Sequence, residues 1–204
     1  MTATVRNLLL GLLSLACLAF TAGVAYVLIA MPEAVKAPIV GAFELVDGEA
    51  EPVTEADFAG RYMLIYFGYT YCPDVCPTEL AKMTAALDIY AEQEPARAAT
   101  IVPIFISVDP ARDTPDRLKE YAPLFHPRLA ALTGTTEQIR TVAATYKVFY
   151  VKVIPESGAT GKDDYLMDHS SQIYLMGPDA AYMTHFSSTL SEAQIAAELA
   201  RQVE

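Results

Sequence analysis

The sequence predicts an α/β layered domain preceded by one transmembrane helix, and three observations carry that prediction. An uncharged, apolar stretch runs from Asn7 to Pro32. Beyond it, apolar runs of β type alternate with segments of helical periodicity, the pattern of a layered α/β domain. The two cysteines of this later region, Cys72 and Cys76, are close neighbours in sequence. A disulfide scaffold would spread its cysteines to staple distant segments, so this pair reads as a site.

The first element is the span. A helix needs roughly 20 apolar residues to cross a bilayer, and Leu8 to Ala30 supplies them. A cleaved signal peptide would have a shorter apolar region, roughly 7–15 residues, ending in a small-x-small site. Ala22 and Val24 make a poor site, and the stretch continues through Tyr26-Val27-Leu28-Ile29. Cys17 reads as an ordinary residue of that helix. The division expected is therefore residues 1–7 in the cytoplasm, an anchor at 8–31, a linker with Pro32 and Pro38 at 32–40, and a folded domain at 41–204. Arg6 and the terminal amine precede the span while Glu33 and Lys36 cancel after it, which favours a cytoplasmic N-terminus.

Of the 14 basic residues only Arg6 precedes the span, and all 25 acidic residues follow it, so the domain carries a formal charge of −12. So acidic a surface argues against nucleic acid as a partner. Within the domain, Val40 to Val53 reads as a strand pair turning at Asp47-Gly48. Met63 to Phe67 is a continuous apolar run, the mark of a buried central strand. A turn then leads to the cysteines, and Pro77-Thr78-Glu79 opens a helix carrying Leu80, Met83, Leu87 and Tyr90. Ile101 to Val108 is a second buried strand. Asp113 or Thr114 caps the next helix at Pro115. Ala130 to Leu132 is a short strand, Thr135 to Tyr146 a helix, and Tyr146 to Val153 an alternating strand. An acidic loop, Ser157 to Asp164, separates it from a hairpin of Ser171–Met176 and Tyr182–Phe186, and Ser191 to Val203 closes the chain as a helix. This order is that of a thioredoxin-like domain with an N-terminal strand pair and an inserted hairpin and loop.

Each cysteine precedes a proline, a position that disfavours helical backbone, so both are expected on a loop with Cys76 near the N-cap of the following helix. The helix N-terminus favours an anion, which predicts a lowered pKa for at least one thiol. Redox proteins of this fold commonly space their cysteines by two residues. The three-residue spacer here leaves the sulfurs room to straddle a soft metal or to close a disulfide. Two thiolates are too few for a closed structural zinc site. Three histidines could complete the set. His126 reads as a helix-end residue and His185 as a strand residue. His169 stands in the turn entering the strand at Ser171, where it faces the cysteine loop, with Asp168 placed to orient its ring. Asp74 lies between the cysteines and Asp109 at the end of the second strand, both candidates to support the site. Met167, Met176 and Met183 read as core.

At this point the chain resembles the Sco/SenC family of copper-binding assembly proteins. The resemblance rests on Gly68-Tyr69-Thr70-Tyr71-Cys72-Pro73-Asp74-Val75-Cys76-Pro77, Ser107 to Pro115, Tyr165 to Ser170 and Ile173 to Asp179, and it runs from Phe43 to the C-terminus. It implies one copper ion, Cu(I) or Cu(II), held by Cys72, Cys76 and His169. It also implies a role in assembling the binuclear CuA site of a cytochrome c oxidase subunit, alongside other copper chaperones or thioredoxin-like reductants. The implied location is the bacterial inner membrane with the domain in the periplasm, or the mitochondrial inner membrane facing the intermembrane space. Soft thiolates suit Cu(I) and imidazole helps with Cu(II). Other readings of the same cysteines are a thiol–disulfide reductase, a redox or copper sensor, and a peroxiredoxin. The last would carry Thr where Pro73 stands.

Overall fold

In the computed structural model, which describes residues 41–154 and 164–204 together with Cys17, Phe20 and Thr21, the chain divides into two compact units, Met1–Pro38 and Ile39–Glu204. The expected span lies outside the described residues except for Cys17, Phe20 and Thr21, which are helical. Among the described residues no helix is long and apolar enough to cross a membrane.

The second unit begins with an antiparallel pair, β1 (Glu44–Val46) and β2 (Pro52–Thr54). The expected two-residue turn between them is a longer loop, because the Asp47 carboxylate accepts the amides of both Glu49 and Glu51. Strand β3 (Tyr62–Gly68) is buried at every residue, as a strand covered on both faces must be. It pairs in parallel with β4 (Ile101–Ser107), which pairs in parallel with β5 (Ala130–Leu132). On its other side β3 pairs antiparallel with β8 (Ile173–Met176), and β8 with β9 (Tyr182–Phe186). The central sheet therefore runs β5-β4-β3-β8-β9.

Helix α1 (Val75–Gln93) turns Leu80, Met83, Leu87 and Tyr90 inward at helical spacing. Helix α2 (Pro115–Tyr121) is capped by Thr114, whose hydroxyl accepts the Arg117 amide at 3.3 Å. Helices α3 (Thr136–Thr145) and α4 (Glu192–Gln202) each start at a reciprocal capping box, Thr135 with Gln138 and Ser191 with Gln194.

Among the described residues, two further strands, β6 (Tyr150–Val153) and β7 (Leu166–His169), pair only with each other and form a separate antiparallel sheet. The sequence pattern extends the first of these back to Tyr146. The structure starts it later, because Tyr146 ends α3 and Lys147 takes left-handed backbone at φ 56°. The sequence pattern gives no strand at β7, which carries His169.

Candidate metal centre

The cysteine loop leaves the end of β3 at Gly68 and is tied down at once. Asp113, buried, accepts hydrogen bonds from the Thr70 amide at 2.9 Å, the Thr70 hydroxyl at 2.6 Å and the Ser107 hydroxyl at 2.6 Å. Arg117 Nε donates to the same Thr70 hydroxyl at 3.2 Å. Burial raises the Asp113 pKa above its usual value, and the three hydrogen bonds pull it back. The alternatives for the α2 cap thus separate: Thr114 caps, while Asp113 anchors the loop.

Only Cys72 of the two cysteines remains on the loop. Cys76 lies in the first turn of α1, because Pro77 after it costs that turn nothing: the first four amides of a helix have no internal partner. Both are free thiols. Cys72 is half-buried, and its Sγ accepts the Cys76 amide at 3.3 Å. Cys76 is fully buried. A Cβ on Gly68 would meet Phe105 and Tyr66 ring carbons at 3.0 Å and the Cys76 Sγ at 3.1 Å, so the absence of a side chain there makes the sulfur's seat. Contrary to the expectation from the helix terminus, the Cys76 pKa is raised, and burial is the main cause. Desolvation of the thiolate outweighs the local field.

His169 ends β7 and reaches across to Cys76, with Nε2 3.1 Å from the sulfur. Its Nδ1 lies 2.9 Å from the Ser170 carbonyl, which can only accept, so Nδ1 carries the proton and Nε2 presents its lone pair to the Cys76 thiol. Burial lowers the ring's pKa, which keeps it neutral. Tyr66 and Tyr69 stand edge-on to the ring, with centroids 6.2 and 5.9 Å away.

The supporting carboxylates are placed differently from the expectation. Asp168 is exposed and leaves the ring's orientation to Ser170, since neighbouring residues of a strand point to opposite faces. Asp74 occupies the N-cap of α1 without a side-chain cap bond and is exposed. Asp109 is buried and engaged with Arg112 at 2.5 Å and the Tyr165 hydroxyl at 2.7 Å. His126 pairs with Asp88 at 3.4 Å and His185 bonds the Tyr182 hydroxyl at 2.5 Å.

A cleft of about 410 Å³ opens beside the site, lined by Cys72, His169, Asp74 and Asp168 and walled by Val75, Val153 and Leu166. Met167 lines it too, half-buried. Among the described residues no three His, Cys, Asp or Glu side chains are grouped tightly enough to enclose an ion. Cys76 and His169 are in contact, and Cys72 is one hydrogen bond from the Cys76 backbone. Two thiols and an imidazole nitrogen are a soft donor set that fits copper.

The SCO1/SenC family model matches residues 31–204. The chain belongs to the SCO1/SenC family. It is 43% identical over 155 residues to the mitochondrial SCO1 homolog 1 of Arabidopsis thaliana, covering 76% of this chain and 44% of that protein. It is 42% identical over 160 residues to an SCO2-like protein of Rickettsia prowazekii, covering 78% and 75%. The crystal structure of Arabidopsis thaliana ScoI with copper bound superposes with a TM-score of 0.74 at 38% identity, covering 80% of this chain and 97% of that one. Against the Arabidopsis protein the matched region thus spans under half of the relative's length. The Sco domain seen here has the thioredoxin-like α/β fold expected of it.

Several residues that shape this Sco site carried no sequence signal for it. Ser170 acts through its backbone. Arg112 sits within the Ser107 to Pro115 motif beside its partner Asp109, but Tyr69, Tyr71 and Tyr165, on which it stacks, are far off in sequence. Gly68 begins the cysteine motif without any sign that a sulfur packs on it.

Proposed function

We propose that this chain binds one copper ion as cargo through Cys72, Cys76 and His169, and hands it to the CuA-bearing subunit of cytochrome c oxidase. The carrying observation is the Cys76–His169 contact, in which an imidazole lone pair already faces a buried sulfur. The copper-bound Arabidopsis relative supports the choice of cargo. A ligating thiol must lose its proton, so loading releases protons from both cysteines. Cys72, half-exposed beside the cleft, is the ligand that can turn in to close the site. With two sulfurs and one nitrogen the copper keeps an open side towards the cleft, where an acceptor's ligand can reach it. The residues 8–31 hold the domain at the membrane through the linker 32–40, on the exported side, which raises its concentration near the oxidase.

The purified, reduced domain is expected to hold one copper per chain, and His169→Ala to weaken binding by at least ~100-fold, beyond what loss of a supporting residue usually costs. Equal affinity in the mutant would remove His169 from the site and favour a thiol–disulfide reductase. A reporter joined after Glu204 should be active only outside the cytoplasm. Cytoplasmic activity would overturn the anchor and its orientation.

A further inference from the structure

Arg112 touches three segments that the sequence keeps far apart. Its Nε meets Asp109 Oδ2 at 2.5 Å, with both side chains almost wholly buried. Its Nη1 donates to the Tyr165 carbonyl at 2.9 Å. The guanidinium lies 3.5 Å from the Tyr165 ring centroid, 4.8 Å from that of Tyr71 and 5.7 Å from that of Tyr69. The Tyr165 hydroxyl closes the arrangement by donating to the other Asp109 oxygen at 2.7 Å. One carboxylate is thus shared by a cation and a phenol, and the cation is stacked between the residues leading to Cys72 and the residue leading into β7.

That placement matters because, among the described residues, β7 pairs with β6 and not with the central sheet. Tyr165 and His169 stand four residues apart, on the same face of an extended segment. A planar guanidinium can fork a carboxylate and stack on rings at once, and a lysine cannot.

We propose that Arg112 is a positioning residue for copper: through Tyr165 it sets β7 at the distance from the cysteine loop that keeps His169 against Cys76. This rests on the copper reading of the site, but the contact it governs exists without copper. Two measurements therefore separate the two. In the metal-free protein, the His169 ring nitrogens are read by NMR in wild type, Arg112→Gln, Arg112→Lys and Tyr165→Leu. In the copper-loaded protein, affinity and the imidazole nitrogen coupling in the Cu(II) resonance spectrum are read in the same set, with and without His169→Ala.

Arg112→Gln and Tyr165→Leu should each shift the Nε2 signal, weaken the nitrogen coupling and lower copper affinity by about 10–100-fold. Arg112→Lys should fall between them and wild type. On the His169→Ala background the same substitutions should change affinity by no more than about twofold, the scatter of independent sites. Unchanged ring signals and affinity in folded variants would overturn the inference, as would an equal loss on the His169→Ala background. Failure of both Arg112→Gln and Tyr165→Leu to fold would assign the cluster to the fold and overturn it too. A wild type whose copper shows no imidazole coupling, with ring signals that still respond to Arg112, would strike the copper reading and leave the contact standing.

Discussion

The cysteine loop and the β6–β7 hairpin face each other across one cleft, yet they are held by different means. The loop continues β3, a strand paired on both sides, and a buried carboxylate takes three hydrogen bonds from it and from Ser107. Among the described residues the hairpin pairs only with itself, and it presents Val151, Val153 and Leu166 to solvent. Its tie to the rest of the site runs through side chains, chiefly Tyr165 and the His169 ring. Elements with few buried contacts open at lower free energy than core strands. On the copper reading proposed above, the difference shows how a site could both fix and release a cargo: the cysteines would be the firm side and the histidine the side that yields.

Removing the firm side's anchor should have the largest effect on the fold. Asp113→Ala leaves the Thr70 amide and the Ser107 hydroxyl without their buried acceptor and should cost about 3 kcal/mol of stability. Denaturant unfolding measures it, and a loss below about 1 kcal/mol would dissolve the contrast between the two sides. Gly68→Ala comes next. Its methyl would press on two rings and the Cys76 sulfur, and overpacking of this kind costs roughly 1–3 kcal/mol. Copper affinity should fall with it, because the sulfur has to move. A folded Gly68→Ala protein with unaltered affinity would show that Cys76 has slack.

The smallest effect belongs to the yielding side and is read by pH. Burial lowers the His169 pKa below its ordinary value of about 6.5. As pH falls below that value, the unfolded chain takes up the proton first, so stability is lost on acidification and is complete above it. The metal-free wild type should therefore lose more stability between pH 7 and pH 5 than His169→Ala does. Identical pH profiles would mean that the ring is not held neutral by its surroundings.

Much of the fold is legible in the sequence because it is local. The continuous apolar run of β3, the helical spacing of Leu80 to Tyr90 and the caps at Thr135 and Ser191 each rest on residues a few positions apart. The family-bearing motifs are legible for the same reason. What stayed hidden depends on distant partners. Asp113 beside Thr114 offers two equivalent caps until Thr70, from another loop, claims the carboxylate. Strand β7 is four residues with Asp168 inside it, too short and too polar to signal a strand. The thiol shift at Cys76 is hidden because a helix start shows the sign of the field but not the depth of burial.

Gly68 has a consequence for traffic. Beside the Cys76 sulfur, Tyr66 and Phe105 pack so close to Gly68 that a methyl group there would press on both rings and on the sulfur. Among the described residues, a cleft lined by Cys72 and His169 opens beside the site. On the copper reading proposed above, cargo would enter and depart by way of this cleft, and donor and acceptor would compete for the same threshold. Transfer would then be a relay with an obligatory pause, in which the carrier stands alone and loaded, rather than a passage through a channel with both neighbours docked at once.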